Sequence, residues 1–136
     1  MRIRYYMASK ETVFLFGEAE KGPYRSPLRC SSIGQLYDQL GNAPPQTEGL
    51  FYALQALMLD LGLIYFRVQQ EGYSADDYLE GLHLLRKKPA ASDLTAIGIP
   101  GVGDAALIDA AAEVCRLYRS VLLLSEKDLY DYLTGR

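Results

Sequence analysis

The chain has 136 residues, a formal net charge of −3 and a hydrophobic fraction of 49%. The hydrophobic fraction excludes a disordered chain, and the mild acidity argues against a general nucleic-acid-binding protein, which needs a basic field. The length suits one domain. We therefore expect a single domain over residues 1–136, in which residues 1–11 are either an extension or an edge strand, and Met7 is as plausible a start as Met1.

Targeting and metal-binding signals are missing from the sequence. No segment reaches about 18 apolar residues, the length that a transmembrane helix needs, and the N-terminus lacks the apolar core of a signal peptide. The two cysteines, Cys30 and Cys115, stand in apolar contexts, which is typical of buried, unreactive thiols. Because His83 is the only histidine, we expect no metal site. Because the sequence has neither a transmembrane segment nor a signal peptide, we expect no membrane partner and a cytoplasmic protein.

Four short apolar runs predict β-strands. Each is about five residues long and rich in β-branched, aromatic or leucine side chains, as in strands that are buried on both faces. The predicted strands are Thr12–Phe16, Leu63–Val68, Leu94–Ile99 and Ser120–Leu124. The segment 22–29 between the first two is expected to be irregular.

Helical patterns separate these runs. Ser32, Ser74, Asp104 and Ser125 are each placed to cap a helix N-terminus, and a further apolar stripe runs from Tyr78 to Leu85. The segment 48–61 is apolar on nearly every side, so its helix needs cover from the sheet on one side and from something else on the other. We expect it to be the most buried helix, with Leu54 and Leu57 in the core.

The predicted order is β-α-α-β-α-β-α-β-α. Strands that alternate with helices favour a parallel sheet with right-handed crossovers and helices on both faces. The predicted fold class is therefore a three-layer α/β domain with a four-stranded, mainly parallel sheet, Rossmann-like or flavodoxin-like.

The carboxyl ends of parallel strands are where open α/β sheets bind ligands. Polar or flexible residues follow each predicted strand and define the expected ligand-binding region. These residues are Glu18, Arg67, Gln69, Gly101, Gly103, Asp104, Ser125 and Glu126.

One string in this region resembles a known fingerprint. Gly101-x-Gly103-x-x-Ala106 follows a predicted strand and opens a helix, and Glu126 ends the next strand. This resembles the dinucleotide-binding fingerprint of Rossmann-type proteins, which implies a pyrophosphate at the helix N-terminus and a ribose on the acidic residue. The same residues also fit a tight turn in which Asp104 caps the helix and its charge opposes a phosphate. We favour the structural turn.

No catalytic set is evident in the sequence. A Walker A sequence is absent, and a histidine relay has only His83 as its base. Tyrosine, at 11 residues, is enriched at protein interfaces but is also an ordinary core residue. We expect a non-catalytic binding or regulatory module that contacts a protein partner or self-associates, and we predict no cofactor. The alternative is a nucleotide-binding protein or small enzyme with a small-molecule site at the strand ends.

Overall fold

The structure is a computed structural model that describes residues 11–87 and 93–135. The predicted extension or edge strand at 1–11 therefore lies, except for Glu11, outside the described residues. The strands are β1 (Thr12–Gly17), β2 (Pro27–Cys30), β3 (Gly62–Arg67), β4 (Leu94–Gly98) and β5 (Val121–Leu123). The helices are α1 (Ile33–Leu40), α2 (Gly49–Met58), α3 (Ala75–Lys87), α4 (Ala105–Tyr118) and α5 (Glu126–Thr134).

The predicted α/β class is confirmed. The described sheet has five strands in the order β2-β3-β1-β4-β5. β1 is parallel to β3 and to β4, and β4 is parallel to β5. Taken alone, the four parallel strands have the chain order 2-1-3-4, which is that of flavodoxin-like doubly wound sheets.

The fifth strand corrects the prediction of four. β2 lies inside the segment expected to be irregular and pairs antiparallel with β3, from Pro27 opposite Phe66 to Cys30 opposite Leu63. Its burial alternates, with Cys30 buried and Arg29 exposed. A four-residue edge strand that begins with proline lacks the continuous apolar run by which the other strands were found.

The sheet separates two apolar cores. On one face, Phe14, Phe16 and Phe66 pack against α3 and α4, and Phe16 stacks on Tyr78 with ring centroids 5.1 Å apart. On the other face, Leu15 and Tyr65 are among the buried residues that pack with α1 and α2. Because successive side chains of a strand point to opposite faces of the sheet, each central strand contributes residues to both cores.

Helix α2 is shorter and less buried than expected. It ends at Met58 rather than residue 61, and Leu54 and Leu57 are half-buried instead of lying in the core. Phe51 and Met58 remain 59% and 69% exposed. The sheet covers one side of this apolar helix, and the described residues leave the opposite side open.

Candidate functional site

The strand order places the candidate site at the carboxyl end of β1. β3 lies on one side of β1 and β4 on the other, and the helices that follow β1 cover the opposite face from α3 and α4. The chain thus connects β1 to β3 on one side and then crosses to β4 on the other side. This change in the direction of the strand connections leaves a crevice between the loops, which is where doubly wound sheets bind ligands.

An open depression of about 610 Å³ occupies this position. Its walls come from the segment before α2, from the first turn of α2 and from the loops after β3 and β4. The lining residues are Gln46, Thr47, Glu48, Phe51, Glu71, Tyr73 and Gly101. Two acidic side chains and two aromatic side chains therefore face one space.

Glu71 organises this depression through backbone hydrogen bonds. Its carboxylate accepts from the N–H of Glu18 at 3.0 Å, from that of Glu48 at 2.6 Å and from that of Gly49 at 3.2 Å. In return, the N–H of Glu71 donates to Oε2 of Glu18 at 2.9 Å. A helix N-terminus attracts anions through its free N–H groups and its dipole, so Glu71 fills the anion position of α2 from within the chain.

Two glycines allow this arrangement. A Cβ on Gly49 would lie 2.8 Å from the Cα of Gly17 and 2.4 Å from the Oη of Tyr65. That tyrosine hydroxyl donates to the carbonyl of Glu18 at 2.8 Å. The N-terminus of α2 can approach the end of β1 this closely because neither backbone carries a side chain at the crossing.

Burial changes the acidity of these groups. It raises the pKa of Glu71, and the nearby Glu18 carboxylate acts in the same direction, against the opposing effect of the three N–H donors. Burial also raises the pKa of Tyr65 well above its ordinary value, with a further contribution from Glu71. Tyr65 therefore stays a neutral hydrogen-bond donor at physiological pH.

Only one of the predicted ligand-binding residues, Gly101, lines the central depression. Glu18 lies beside it and acts through Glu71. Gly101 has a φ of +84° and packs against Gly72, where a Cβ would lie 2.4 Å from the carbonyl oxygen of Gly101. A pyrophosphate would need close access to the backbone at Gly101, and the loop that contains Gly72 occupies that position instead.

Arg67 and Gln69 are directed elsewhere. The Arg67 guanidinium donates to the carbonyls of Gly22 and, at 2.9 Å, Ala19, and it stacks 3.9 Å above the Tyr24 ring. The backbone N–H of Gln69 donates to Asp77 at 2.7 Å, while the Gln69 side chain is exposed. Both residues thus serve the loop around residues 19–25 and the start of α3.

Gly103 and Asp104 line a second depression of about 330 Å³, next to the first. Oδ1 of Asp104 accepts from the N–H of Ala106 at 2.8 Å and that of Leu107 at 3.4 Å, so the predicted helix cap is confirmed. Ser125 caps α5 by accepting from the N–H of Asp128. Glu126 is exposed on the first turn of α5.

The residues that sequence reasoning missed are Glu48, Glu71 and Tyr73, together with Phe51. Glu71 stands in the polar run 69–71, which reads as a solvated loop. The available signal was Gly49 at the start of a strongly apolar segment, because a glycine lets another part of the backbone approach closely.

The remaining reactive side chains lie apart from the depression. Cys30 and Cys115 are buried as expected, and burial raises the pKa of each thiol. His83 is exposed on α3. Among residues 11–87 and 93–135, no three His, Cys, Asp or Glu side chains are grouped in a way that would hold a metal ion.

A second feature is apolar. α1 and α2 enclose an open groove of about 180 Å³, here named the α1–α2 groove. Its lining residues are Ile33, Leu36, Tyr37, Gly41, Asn42, Ala43, Leu50, Phe51 and Leu54. Ile33, Tyr37 and Phe51 are 47%, 57% and 59% exposed, so the groove presents large apolar side chains to solvent.

No helix in the described part of the chain has the length and apolar character to cross a membrane. Comparison of the chain with protein-family models, with curated proteins and with solved structures finds no match.

Proposed function

We propose that this domain is a non-catalytic, cytoplasmic binding module that docks an apolar helix of a partner protein in the α1–α2 groove. The observation that carries the proposal is an apolar stripe on the side of α2 opposite its buried residues Leu50, Ala53 and Ala56. Phe51, Leu54 and Met58 follow helical spacing on the side away from the sheet, and Phe51 and Met58 are more than half exposed. Exposed contiguous apolar patches of this kind mark contact sites.

Both walls of the groove carry apolar side chains at helical spacing. Ile33 and Tyr37 stand one turn apart on α1 and line the groove together with Phe51 and Leu54 of α2. A partner helix inserts residues at matching one-turn spacing into a groove of this type. Asp38 follows Tyr37 on α1 and Glu48 immediately precedes α2, and both are exposed, so a partner with basic residues beside its apolar face fits best.

The nucleotide alternative has less support. Helix N-termini are the natural phosphate sites of this fold class. Here the Glu71 carboxylate occupies the N-terminus of α2, and the Asp104 carboxylate occupies the N-terminus of α4. A phosphate at either position would have to displace a carboxylate or lie against one.

A binding measurement with a defined peptide tests the docking proposal. A fluorescein-labelled amphipathic helix of leucine and lysine should give saturable anisotropy with the wild-type domain. Phe51→Ser combined with Tyr37→Ser should weaken binding about tenfold or more, because exposed aromatic anchors dominate such interfaces. His83→Ser, an exposed change on α3, is the matched control.

A control peptide tests whether charge alone explains the binding. A peptide of the same charge in which serine replaces leucine should bind weakly to every variant. If both peptides bind alike, or if the groove variant binds as well as wild type, the docking proposal is wrong. A thermal shift with NAD, FAD, ATP or AMP that grows in Asp104→Asn would instead favour the nucleotide alternative, because that change removes the repelling charge.

A further inference from the structure

Strand β5 forms one edge of the described sheet and pairs there with β4 alone. The carbonyl of Leu123 accepts from the N–H of Ile99 at 3.0 Å. Because backbone groups in a ladder alternate in direction, Leu122 directs its N–H and carbonyl away from β4. The edge therefore offers backbone hydrogen-bonding groups to another strand.

The two edges of the sheet differ in how they are protected. The β2 edge carries Pro27 and the exposed Arg29, and proline and charge are common devices against edge-to-edge pairing. The β5 edge has neither, since residues 121–124 are Val-Leu-Leu-Leu. Val121 is 62% exposed and Leu123 is 42% exposed, so this edge is both apolar and open.

The ends of β5 carry opposite charges. Arg119 precedes the strand and Glu126 follows it, and both are exposed. Within the described ranges, neither residue takes part in an ion pair. Two copies of β5 aligned antiparallel about Leu122 would bring each Arg119 to the end of the other strand that carries Glu126, whereas a parallel alignment would place like charges together.

We propose that the domain self-associates as a two-fold dimer through antiparallel pairing of β5 with the same strand of a second copy. Leu122 then exchanges both backbone hydrogen bonds with its equivalent. Val121 lies opposite the partner's Leu123 as a directly opposed, close side-chain pair. The contact is self-complementary, as an isologous interface requires.

This dimer is independent of the proposed docking function. The lining of the α1–α2 groove comes from α1, α2 and the segment between them, and it includes no residue of β5. Each copy therefore keeps its groove open, and loss of one activity does not imply loss of the other.

Sedimentation equilibrium with a charge swap tests the proposal. Wild type should show a concentration-dependent monomer–dimer equilibrium. Arg119→Glu and Glu126→Arg should each raise the dimer Kd about tenfold, because each creates two like-charge contacts across the dyad. The double variant should restore the wild-type Kd, and Arg29→Glu, an equal charge change on the β2 edge, should leave it unaltered.

A second variant covers the case in which the swap disturbs folding. Val121→Lys alters an exposed side chain next to the dyad and should abolish the dimer, while circular dichroism stays that of wild type. A wild-type protein that remains monomeric at about 100 μM, a dimer that persists in Val121→Lys, or a double swap that fails to restore association would each overturn the proposal.

Discussion

Glu18 and Glu71 each bind the backbone of the other. The N–H of Glu18 donates to Oε1 of Glu71 at 3.0 Å, and the N–H of Glu71 donates to Oε2 of Glu18 at 2.9 Å. Two carboxylates this close repel each other, and the repulsion is tolerated because backbone donors surround them. The pair ties the end of β1 to the loop after β3 and fixes the floor of the central depression.

The first prediction concerns the role of Glu71 in stability. Glu71→Ala leaves three backbone N–H groups without their acceptor. Two of these hydrogen bonds are part-buried and the one from Glu48 is exposed. Their loss should lower the free energy of unfolding by about 1–3 kcal/mol. Urea denaturation measures this loss. Glu11→Ala removes an exposed glutamate and should change stability by less than about 0.5 kcal/mol, so equal effects of the two variants would contradict the assigned role.

The second prediction compares two glycines that both lie in the first turn of a helix. Gly49→Ala places a methyl group within 2.4 Å of the Tyr65 hydroxyl and should destabilise the domain by about 1–3 kcal/mol through overpacking. Gly34→Ala meets nothing within 4 Å and should stabilise it by about 0.5–1 kcal/mol, because alanine is the better helix former.

Thermal denaturation of the two variants gives the signs directly. Opposite shifts in Tm would establish that the glycine at 49 is required by the close approach of β1 and α2. A gain in Tm for Gly49→Ala would mean that α2 stands farther from β1 than described.

The sequence revealed most of the fold because its signals are local. The four parallel strands are continuous apolar runs, and Ser32, Asp104 and Ser125 cap α1, α4 and α5 as predicted. The predicted cap at Ser74 is wrong, because its hydroxyl bonds the backbone of Gln70 instead of a helix N–H. β2 was missed because an edge strand with Pro27 and Arg29 resembles a loop. Its pairing depends on the neighbouring β3, which supplies the partner that the segment itself cannot indicate.

The candidate site was predicted only in its location. The strand-end loops do meet, but the organising residue, Glu71, belongs to a polar run without a motif. Its burial depends on β3 lying next to β1, and strand order is not encoded in local pattern. Arg67 was assigned to the ligand region by position alone, whereas its guanidinium binds the carbonyls of Ala19 and Gly22.

The third prediction separates the two sides of the α1–α2 layer. Leu40 is 1% exposed and lies in the core, so Leu40→Ala should cost about 2–5 kcal/mol. Leu54 is half-buried and lines the α1–α2 groove, and Leu54→Ala should cost about 1 kcal/mol. Both are helical Leu→Ala changes measured in the same urea titration. Equal losses would mean that α2 is covered on its outer side.

The last prediction uses two carboxylates whose pKa values move in opposite directions. Burial raises the pKa of Glu71 above its ordinary value of 4.5. Burial acts on Asp77 in the same sense, but hydrogen bonds from the Gln69 N–H and the Arg25 guanidinium outweigh it and lower the pKa of Asp77 below 3.8. The folded state therefore holds the Glu71 proton more tightly than the unfolded chain, and the Asp77 proton less tightly.

Linkage fixes the sign of each effect on stability. As pH rises from 4.5 through the higher folded pKa of Glu71, the folded state should lose stability. The advantage of wild type over Glu71→Gln should therefore shrink and then level off. As pH falls below 3.8 through the lower folded pKa of Asp77, the stabilisation by that carboxylate should disappear, so the advantage of wild type over Asp77→Asn should shrink toward acid.

Urea titrations of the three proteins between about pH 3 and pH 7, the span in which carboxylates with shifted pKa values titrate, measure both differences. Two curves of opposite slope are expected. The reason is that, among the described residues, Glu71 accepts only from backbone N–H groups beside another carboxylate, whereas Asp77 binds a guanidinium. Parallel curves would contradict this difference in environment.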